Sequence, residues 1–574
     1  MIKEKKIKIT IDGLAIQVSA DQTIGKVARA NNIKIPGLCF HPDLAVQASC
    51  RLCVVEIKGR KGLYTACSTK IEEGMDIVTD SSKIRRARKV NLELIFTQHC
   101  EECGDCIYKR NCTIRELAPK YKVNITKFPD RKKDYPVYKF GPSLIFDSSK
   151  CIDCNLCVEA CKAQNVCFLE TRKKGDFHDV VPSKDKNKDC IYCGQCLTHC
   201  PVGAFEGVGE FEEIEAPFQL KDKVVVVQFA PSIRTTIGEE FDMPHGSIVT
   251  GQLTAAIRQL GIKHVFDVSV GADFTTIAEA DELIERITEK GVLPMMTSCC
   301  PGWVKYVEFF QPEFIPNLTT VRSPHIILGG LIKTYWAKKE KIDPKKIVVV
   351  SIMPCVAKKY EMTRPELKIN GLRPVDYVFT TRELAWLLKK RKIDLSKVQP
   401  ENIKDPFGVP TGAGVIYGAS GGVMESALRT ACGKISGQQL CPINFKQARG
   451  LDGVKKATLT IKGKKLKIAI ANGTANAQKL LDELKEKPKA YDYIEIMACP
   501  GGCIGGGGQP VPVNAIIRQK RANSLYSIDT KKKKRLAEDN SIVKKVYQDF
   551  FNDHHKFHQV CHTKFRRKNK EVKT

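Results

Sequence analysis

Three short runs place cysteine just after apolar, strand-like stretches: Thr297-Ser298-Cys299-Cys300-Pro301-Gly302-Trp303, Met353-Pro354-Cys355-Val356-Ala357-Lys358 and Met497-Ala498-Cys499-Pro500-Gly501-Gly502-Cys503. Thiolates are soft ligands that select iron–sulfur and similar metal centres. Cys300, Cys355, Cys499 and Cys503 supply four of them from three distant segments, enough to hold one iron–sulfur cube. Cys299 stands beside that set with no ligand duty. A spare thiol next to a redox centre can carry protons, so the pattern points to catalysis rather than to electron storage alone.

The other cysteine groups read as wiring. The chain has 25 cysteines, most of them in tight C-x2-C groups. Cys151, Cys154, Cys157, Cys161 and Cys190, Cys193, Cys196, Cys200 repeat C-x2-C-x2-C-x3-C; Pro201 follows the second run and Lys162 the first. In this two-cluster ferredoxin pattern the fourth cysteine of each run ligates the other cluster. One cube is therefore expected on Cys151, Cys154, Cys157 and Cys200, and a second on Cys190, Cys193, Cys196 and Cys161. Cys167 is left as a spectator. Upstream, Cys39, Cys50, Cys53 and Cys67 lie at C-x10-C-x2-C-x13-C in a β-rich stretch and suit a [2Fe–2S] cluster. That spacing departs from the plant ferredoxin pattern. It is similar to that of the iron–sulfur subunit of respiratory NADH dehydrogenase and of hydrogenases. His99, Cys103, Cys106 and Cys112 form an H-x3-C-x2-C-x5-C set, with Cys100 competing with His99 as the fourth ligand. Imidazole in place of a thiolate makes a cluster less negative and raises its potential. Zinc is the alternative for any C-x2-C group; the number and order of the groups favour iron–sulfur clusters.

Elements must hold these ligands in place. At 574 residues the chain has room for several domains with large cores. The stretches 7–13 and 15–19 alternate with period two across a turn glycine and predict a hairpin; Thr23 then caps a helix. From about 210 onward, apolar strands near 224–229 and 265–268 alternate with helices near 250–260 and 277–287. This is an α/β pattern with largely parallel strands, whose sites form in loops after strand carboxyl ends. Gly421-Gly422 and Gly505-Gly506-Gly507-Gly508 lack the lysine and serine of a P-loop and read as places of close backbone approach. The basic runs at 531–535 and 566–568 read as solvated surface.

Lysine and arginine total 93 against 64 acidic residues, a net charge of +29. Most of that charge is a solvated face, and part of it suits docking of an acidic redox carrier. No nucleic-acid-binding signature accompanies it. No apolar run approaches the about 20 residues of a membrane helix, and residues 1–6 lead into a strand rather than an apolar signal region. A soluble, cytoplasmic protein is expected.

Taken together, these motifs resemble the [FeFe]-hydrogenases of the monomeric type with a full set of accessory clusters, over essentially the whole length. The resemblance implies a multidomain α+β and α/β protein. A β-grasp [2Fe–2S] module spans 1–80, a His/Cys3 [4Fe–4S] module 81–125 and a two-[4Fe–4S] ferredoxin-like domain 126–209. An α/β catalytic domain over 210–574 holds the H-cluster between its lobes. It further implies that Cys300, Cys355, Cys499 and Cys503 hold the cube of the H-cluster, with Cys503 bridging to a diiron subsite carrying CO, CN and azadithiolate. Lys358 would hold a cyanide; the alternative is a helix-surface Lys358–Glu361 pair. Ala230, Pro231, Ser232, Met353, Met497 and Tyr417 would line the cofactor. Cys299, as a thiol with a pKa near working pH, would pass protons along a route through Glu279, Thr319, Glu282 and Arg286. Glu279, Glu282 and Arg286 share one helical face, which otherwise means an exposed salt-bridged surface.

Against the family's usual pattern, Thr319 replaces serine, Tyr417 phenylalanine and His325 glutamine. His325 is expected to titrate near neutral pH. The implied reaction is reversible formation of H2 from protons and electrons. Electrons would be exchanged with ferredoxin through one [2Fe–2S] and three accessory [4Fe–4S] clusters, and maturation proteins would build the cofactor. A non-catalytic electron-transfer subunit lacks the three cysteine loops, and sensory or cluster-assembly relatives tend to lose the Cys299 equivalent.

Overall fold

The computed structural model describes residues 6–99, 112–174, 177–207, 214–402, 406–436, 446–461 and 463–572. Cys100, Cys103 and Cys106 lie outside the described residues.

The N-terminal module is a five-stranded sheet. β1 (Lys6–Ile11) and β2 (Leu14–Ser19) pair antiparallel around Asp12-Gly13, both at positive φ as a tight primed turn requires. β3 (Val54–Ile57), β4 (Tyr64–Thr65) and β5 (Asp76–Val78) complete the order β2-β1-β5-β3-β4. Thr23 caps the helix Ile24–Ala30 through the Lys26 amide, as its sequence position predicts. The two-cluster domain follows. β6 (Val137–Phe140), β7 (Leu144–Asp147) and β10 (Phe205–Gly207) form one sheet, and β8 (Leu169–Lys174) pairs with β9 (Phe177–Pro182).

Two four-stranded sheets frame the remainder. β11 (Val224–Phe229), β12 (His264–Asp267), β14 (Ile347–Met353) and β15 (Tyr377–Thr380) are all parallel, in the order β12-β11-β14-β15. β13 (Met295–Met296), β18 (Tyr493–Met497) and β17 (Lys464–Asn472) are also parallel, and β16 (Val454–Ile461) closes that sheet antiparallel. β14 and β18 are buried along their whole length, as strands covered on both faces must be.

Three local expectations need correction. The strand over 265–268 ends at Asp267, because its carboxylate accepts from the Ser269 amide and starts the long helix Val268–Thr288. The stretch before Cys299 is a strand only over Met295–Met296, since Pro294 has no N–H for a ladder. The basic run at 531–535 is partly structural. Arg535 pairs with the buried Asp529, and the Lys532 ammonium donates to the Pro410 carbonyl at 2.7 Å.

One apolar core runs from the region of the paired cysteine runs (Phe146, Tyr192, Leu197) into the C-terminal α/β part (Trp303, Ala469, Ile494). The glycine run lies on this seam. A Cβ on Gly507 would stand 2.6 Å from the Gly194 Cα, so only glycine lets the two backbones meet. The C-terminal segment crosses the seam as well. Lys305, fully buried, pairs with Asp189 at 3.0 Å and with Glu571 at 2.5 Å, and the amides of Glu571 and Val572 donate to Asp189.

Candidate active site

A cavity with about 710 Å³ of empty space opens where the two sheets face each other, and its walls are almost wholly apolar. The loop after β11 brings Ala230, Pro231 and Ser232 to it, and the loop after β13 brings Cys299 and Cys300. Met353 and Cys355 come from the end of β14, and Met497, Cys499 and Cys503 from the end of β18. Lys358, His325 and Tyr417 complete the wall. Four strand ends from two sheets thus converge, as the strand-end positions of the cysteines lead one to expect.

Burial pushes all five cavity thiols above the usual cysteine value, Cys355 and Cys503 to about 12. A thiolate in this dry space needs a metal or a cation beside it. The Ala498 amide points at Cys300 Sγ from 3.4 Å. Lys358 is the buried cation. Its Nζ donates to the Cys299 carbonyl at 3.0 Å and to Glu361 Oε2 at 2.7 Å. Burial alone would lower its pKa, and the Glu361 carboxylate overrides that and holds it above the ordinary lysine value. The Lys358–Glu361 pair weighed as the alternative to a ligand role exists, but inside the protein and on the cavity wall rather than on a helix surface. Four soft donors, one fixed ammonium and a Gly506 backbone held against the Pro354 carbonyl suit an anionic iron–sulfur group.

Glu361 also binds partners that sequence reading did not foresee. Its Oε2 also accepts from Ser323 Oγ at 2.9 Å and from His325 Nε2 at 2.6 Å. Burial would raise its pKa; Lys358 and His325 bring it down to about 2. His325 does not titrate near neutrality as expected. Burial and then the Lys358 charge push it down to about 4, and Glu361 only partly offsets them. It is a neutral donor at working pH.

The expected proton-carrying residues fall into two linked groups. Thr319 Oγ1 donates to Glu282 Oε2 at 2.7 Å, and Arg286 donates to Glu282 Oε1 at 2.6 Å. Glu279 is buried and accepts from the Tyr493 hydroxyl at 2.9 Å. Burial raises the Glu279 pKa to about 8, with Glu282 and Glu495 adding to the rise. Cys299 and Glu279 feel each other's charge, and no direct hydrogen bond joins them among the described residues. Cys299 does not have a thiol pKa near working pH: burial, then Glu279, raise it well above the ordinary value. It rests as a neutral thiol. Tyr417 shares hydroxyl contacts through Thr276, at 2.8 Å, with Ser426. Tyr493 carried no local signal, because a strand tyrosine reads as core until its partner is known.

The remaining cysteines sort by neighbour. Cys151, Cys154 and Cys157 each feel Cys200, whereas Cys190, Cys193 and Cys196 each feel Cys161. Cys39 and Cys50 are hydrogen-bonded to each other, as are Cys53 and Cys67. Cys154 feels Cys39 on one side of the two-cluster domain. On the other side, Cys193 feels Cys300 and Cys355, and its carbonyl lies 3.7 Å from Cys499 Sγ. The buried His99 points Nδ1 at the Lys150 carbonyl at 2.8 Å, which leaves Nε2 for a metal. Cys112 begins the helix Thr113–Lys120.

Residues 223–507 match the C-terminal domain of the iron-only hydrogenase large subunit, and 515–568 match the iron hydrogenase small subunit. Residues 4–82 match a 2Fe-2S iron-sulfur cluster binding domain and 150–204 a 4Fe-4S dicluster domain. The NADP-reducing hydrogenase subunit HndD of Solidesulfovibrio fructosivorans is 38% identical, over 97% of this chain and 98% of its own. Iron hydrogenase 1 of Clostridium pasteurianum is 38% identical, over 97% of this chain and all of its own. A solved structure of the [FeFe]-hydrogenase HydA1 of Chlamydomonas reinhardtii superposes with a TM-score of 0.56 at 36% identity, covering 62% of this chain and 98% of that one. With thiol-lined cavity, ferredoxin-like wiring and near full-length relatives in agreement, the chain belongs to the iron-only, or [FeFe], hydrogenase family and interconverts H2 with protons and electrons.

Proposed function

We propose that Cys300, Cys355, Cys499 and Cys503 hold the cube of the H-cluster between the two sheets of a 210–574 catalytic domain. Lys358 then offers its ammonium to an anionic ligand of the diiron subsite. One observation carries this reading: four thiols, a spare thiol and a buried ammonium face a single apolar cavity. When bound, the H-cluster supplies the redox chemistry and the H–H bond-making and bond-breaking. Ala230, Pro231, Met353, Met497 and Tyr417 shape the cavity and exclude water, which strengthens every charge inside it. Ser232 adds a buried hydroxyl to the wall. Glu361 and His325 hold Lys358 in place.

Cys299 and Glu279 are the inner members of the proton route in this reading, and Thr319, Glu282 and Arg286 the outer ones. A neutral thiol and a carboxyl with a pKa near 8 both carry a proton at neutral pH, the resting state a donor chain needs.

Cys190, Cys193, Cys196 and Cys161 would hold the cube that supplies electrons to the cavity, because Cys193 lies near Cys300 and Cys355. The cube on Cys151, Cys154, Cys157 and Cys200 precedes it within the 126–209 domain. Cys39, Cys50, Cys53 and Cys67, in the β-grasp domain 1–80, would hold the [2Fe–2S] cluster, with Cys39 near Cys154. A third accessory cube uses His99, Cys103, Cys106 and Cys112 of the 81–125 module. The external carrier is a ferredoxin or a similar acidic protein, for which the net charge of +29 provides attraction. Cofactor assembly by maturation proteins and a cytoplasmic location belong to the same proposal; thiolate clusters suit a reducing compartment.

Three outcomes follow. Purified matured enzyme evolves H2 faster with reduced ferredoxin than with NADPH, and the ferredoxin rate constant falls about tenfold or more with rising ionic strength; a salt-insensitive rate contradicts the docking. Cys299→Ser keeps the infrared carbonyl and cyanide bands of the loaded site yet loses turnover by about a hundredfold or more, because a hydroxyl is a poorer proton donor than a thiol; full turnover sinks the relay. Glu279 carries its proton below about pH 8 and loses it above. Its protonated-carboxyl infrared stretch fades as pH rises through that value and is missing in Glu279→Gln; a fully ionised Glu279 at mildly acidic pH contradicts the assignment.

A further inference from the structure

The two C-x2-C-x2-C-x3-C runs are near repeats whose charges differ. The first begins Lys150-Cys151-Ile152-Asp153-Cys154 and the second Asp189-Cys190-Ile191-Tyr192-Cys193. Each has one buried lysine beside it. At the first run, Lys132 Nζ donates to the Cys151 carbonyl at 3.0 Å and to Asp153 Oδ1 at 2.7 Å. Asp179 lies 3.8 Å from the same ammonium, Arg131 lies 3.5 Å from Asp153, and Lys150 pairs with Asp147 at 3.3 Å. Cations and carboxylates balance there.

At the second run they do not. Lys305 stands on the helix Pro301–Phe310, which begins directly after Cys300. Its ammonium is fully buried between Asp189, at 3.0 Å, and Glu571, at 2.5 Å. It also lies over the Tyr192 ring, 4.5 Å from the centroid. Asp189 is fully buried as well. Its Oδ1 accepts from the Cys190 amide at 2.9 Å, and its charge is felt at Cys190 Sγ. Glu571 is placed by its own amide, which donates to Asp189 at 3.0 Å, and by the neighbouring Val572, which is buried in the core. Lys570 gives its ammonium to the carbonyls of Ser183 and Asp185. One ammonium thus faces two carboxylates, and one of those carboxylates holds the backbone of a ligand cysteine.

We propose that Lys305, Asp189 and Glu571 set the reduction potential of the cube on Cys190, Cys193, Cys196 and Cys161, with Lys305 raising it and the unmatched Glu571 carboxylate lowering it. The proposal rests on the reading that those four cysteines hold that cube. A cube that takes up one electron becomes one unit more negative. A fixed cation beside it favours the reduced form, and a fixed anion disfavours it. No proton moves and no bond changes: the electron comes from the cube on Cys151, Cys154, Cys157 and Cys200 and leaves toward the cavity. Asp189 acts in the same sense as Glu571. It also occupies the Cys190 N–H, which is then not given to a cluster sulfur, and hydrogen bonds to sulfur are one of the levers on potential. Salt screens the buried Lys305 and Asp189 weakly. The Glu571 side chain keeps 31% of its surface exposed, so its charge is partly screened. The excess carboxylate makes this inner cube a stronger reductant toward the cavity than a balanced ion pair would.

The test uses matured full-length protein and a redox titration followed by electron paramagnetic resonance. Cys190→Ser identifies the signal of this cube by altering it. Glu571→Gln is expected to raise the potential of that signal, so that the reduced-to-oxidised ratio at a fixed potential grows about threefold, about 28 mV for one electron. Glu571→Lys is expected to raise it further. Lys305→Gln is expected to move the ratio about tenfold the other way, about 59 mV downward. The opposite signs discriminate, because Glu571→Gln and Lys305→Gln break the same ion pair and a merely structural loss would move the potential one way. Should Lys305→Gln not fold, the ascending order of parent, Glu571→Gln and Glu571→Lys decides. An unchanged potential in both Glu571 variants, or shifts of one sign in all three, overturns the role of the triad and leaves the cube where it is. A titration of Cys190→Ser identical to that of the parent overturns the ligand reading itself.

Discussion

Charge inside a dry cavity is the constraint on which the rest of this structure depends. Each cavity thiol is raised by burial, so none becomes a ligand unless positive charge arrives to compensate. In the proposed reading, iron would supply most of that charge for the four ligands. Lys358 supplies the protein's share, and an ammonium at that depth is itself costly unless paired. Glu361 meets the cost, and Ser323 and His325 hold Glu361 in turn. The site therefore has a second layer as ordered as the first. Its extent explains why His325 takes a neutral donor's role where a histidine in the sequence alone reads as a pH switch.

In the proposed reading, electron and proton traffic use different elements of this fold. Cysteine neighbours run from Cys39 to Cys154, through the paired cubes, to Cys193 and then to Cys300 and Cys355. That line enters through the seam sealed by Gly194 and Gly507. Carboxylates and hydroxyls lie along the long helix Val268–Thr288 and the segment at Thr319 and Thr320. Separation matters because electrons cross packed protein readily, whereas protons require a hydrogen-bonded path with movable hydrogens.

Much of this was legible in the residues. Soft-ligand spacing is local, so C-x2-C-x2-C-x3-C specifies a pair of cubes before any fold is known. The position of Cys299, Cys355 and Cys499 after apolar strands already indicated that the loops meet at strand ends. Long-range partners were not legible. Tyr493 is 214 residues from Glu279 and His562 is 242 from Thr320, and no periodicity encodes those meetings. Burial also changed the meaning of groups whose identity was clear: Cys299 and His325 both depart from their expected proton affinities because water is excluded. The helix start at Asp267 was missed because a cap overrode an apolar, strand-like run.

The most direct measurement is anomalous diffraction at the iron edge from crystals of the matured protein. The account predicts a four-iron peak bounded by the sulfurs of Cys300, Cys355, Cys499 and Cys503, with a two-iron peak beside it toward Cys299 and Lys358. A cavity without iron, a single metal ion there, or iron held by a different set of cysteines would contradict it.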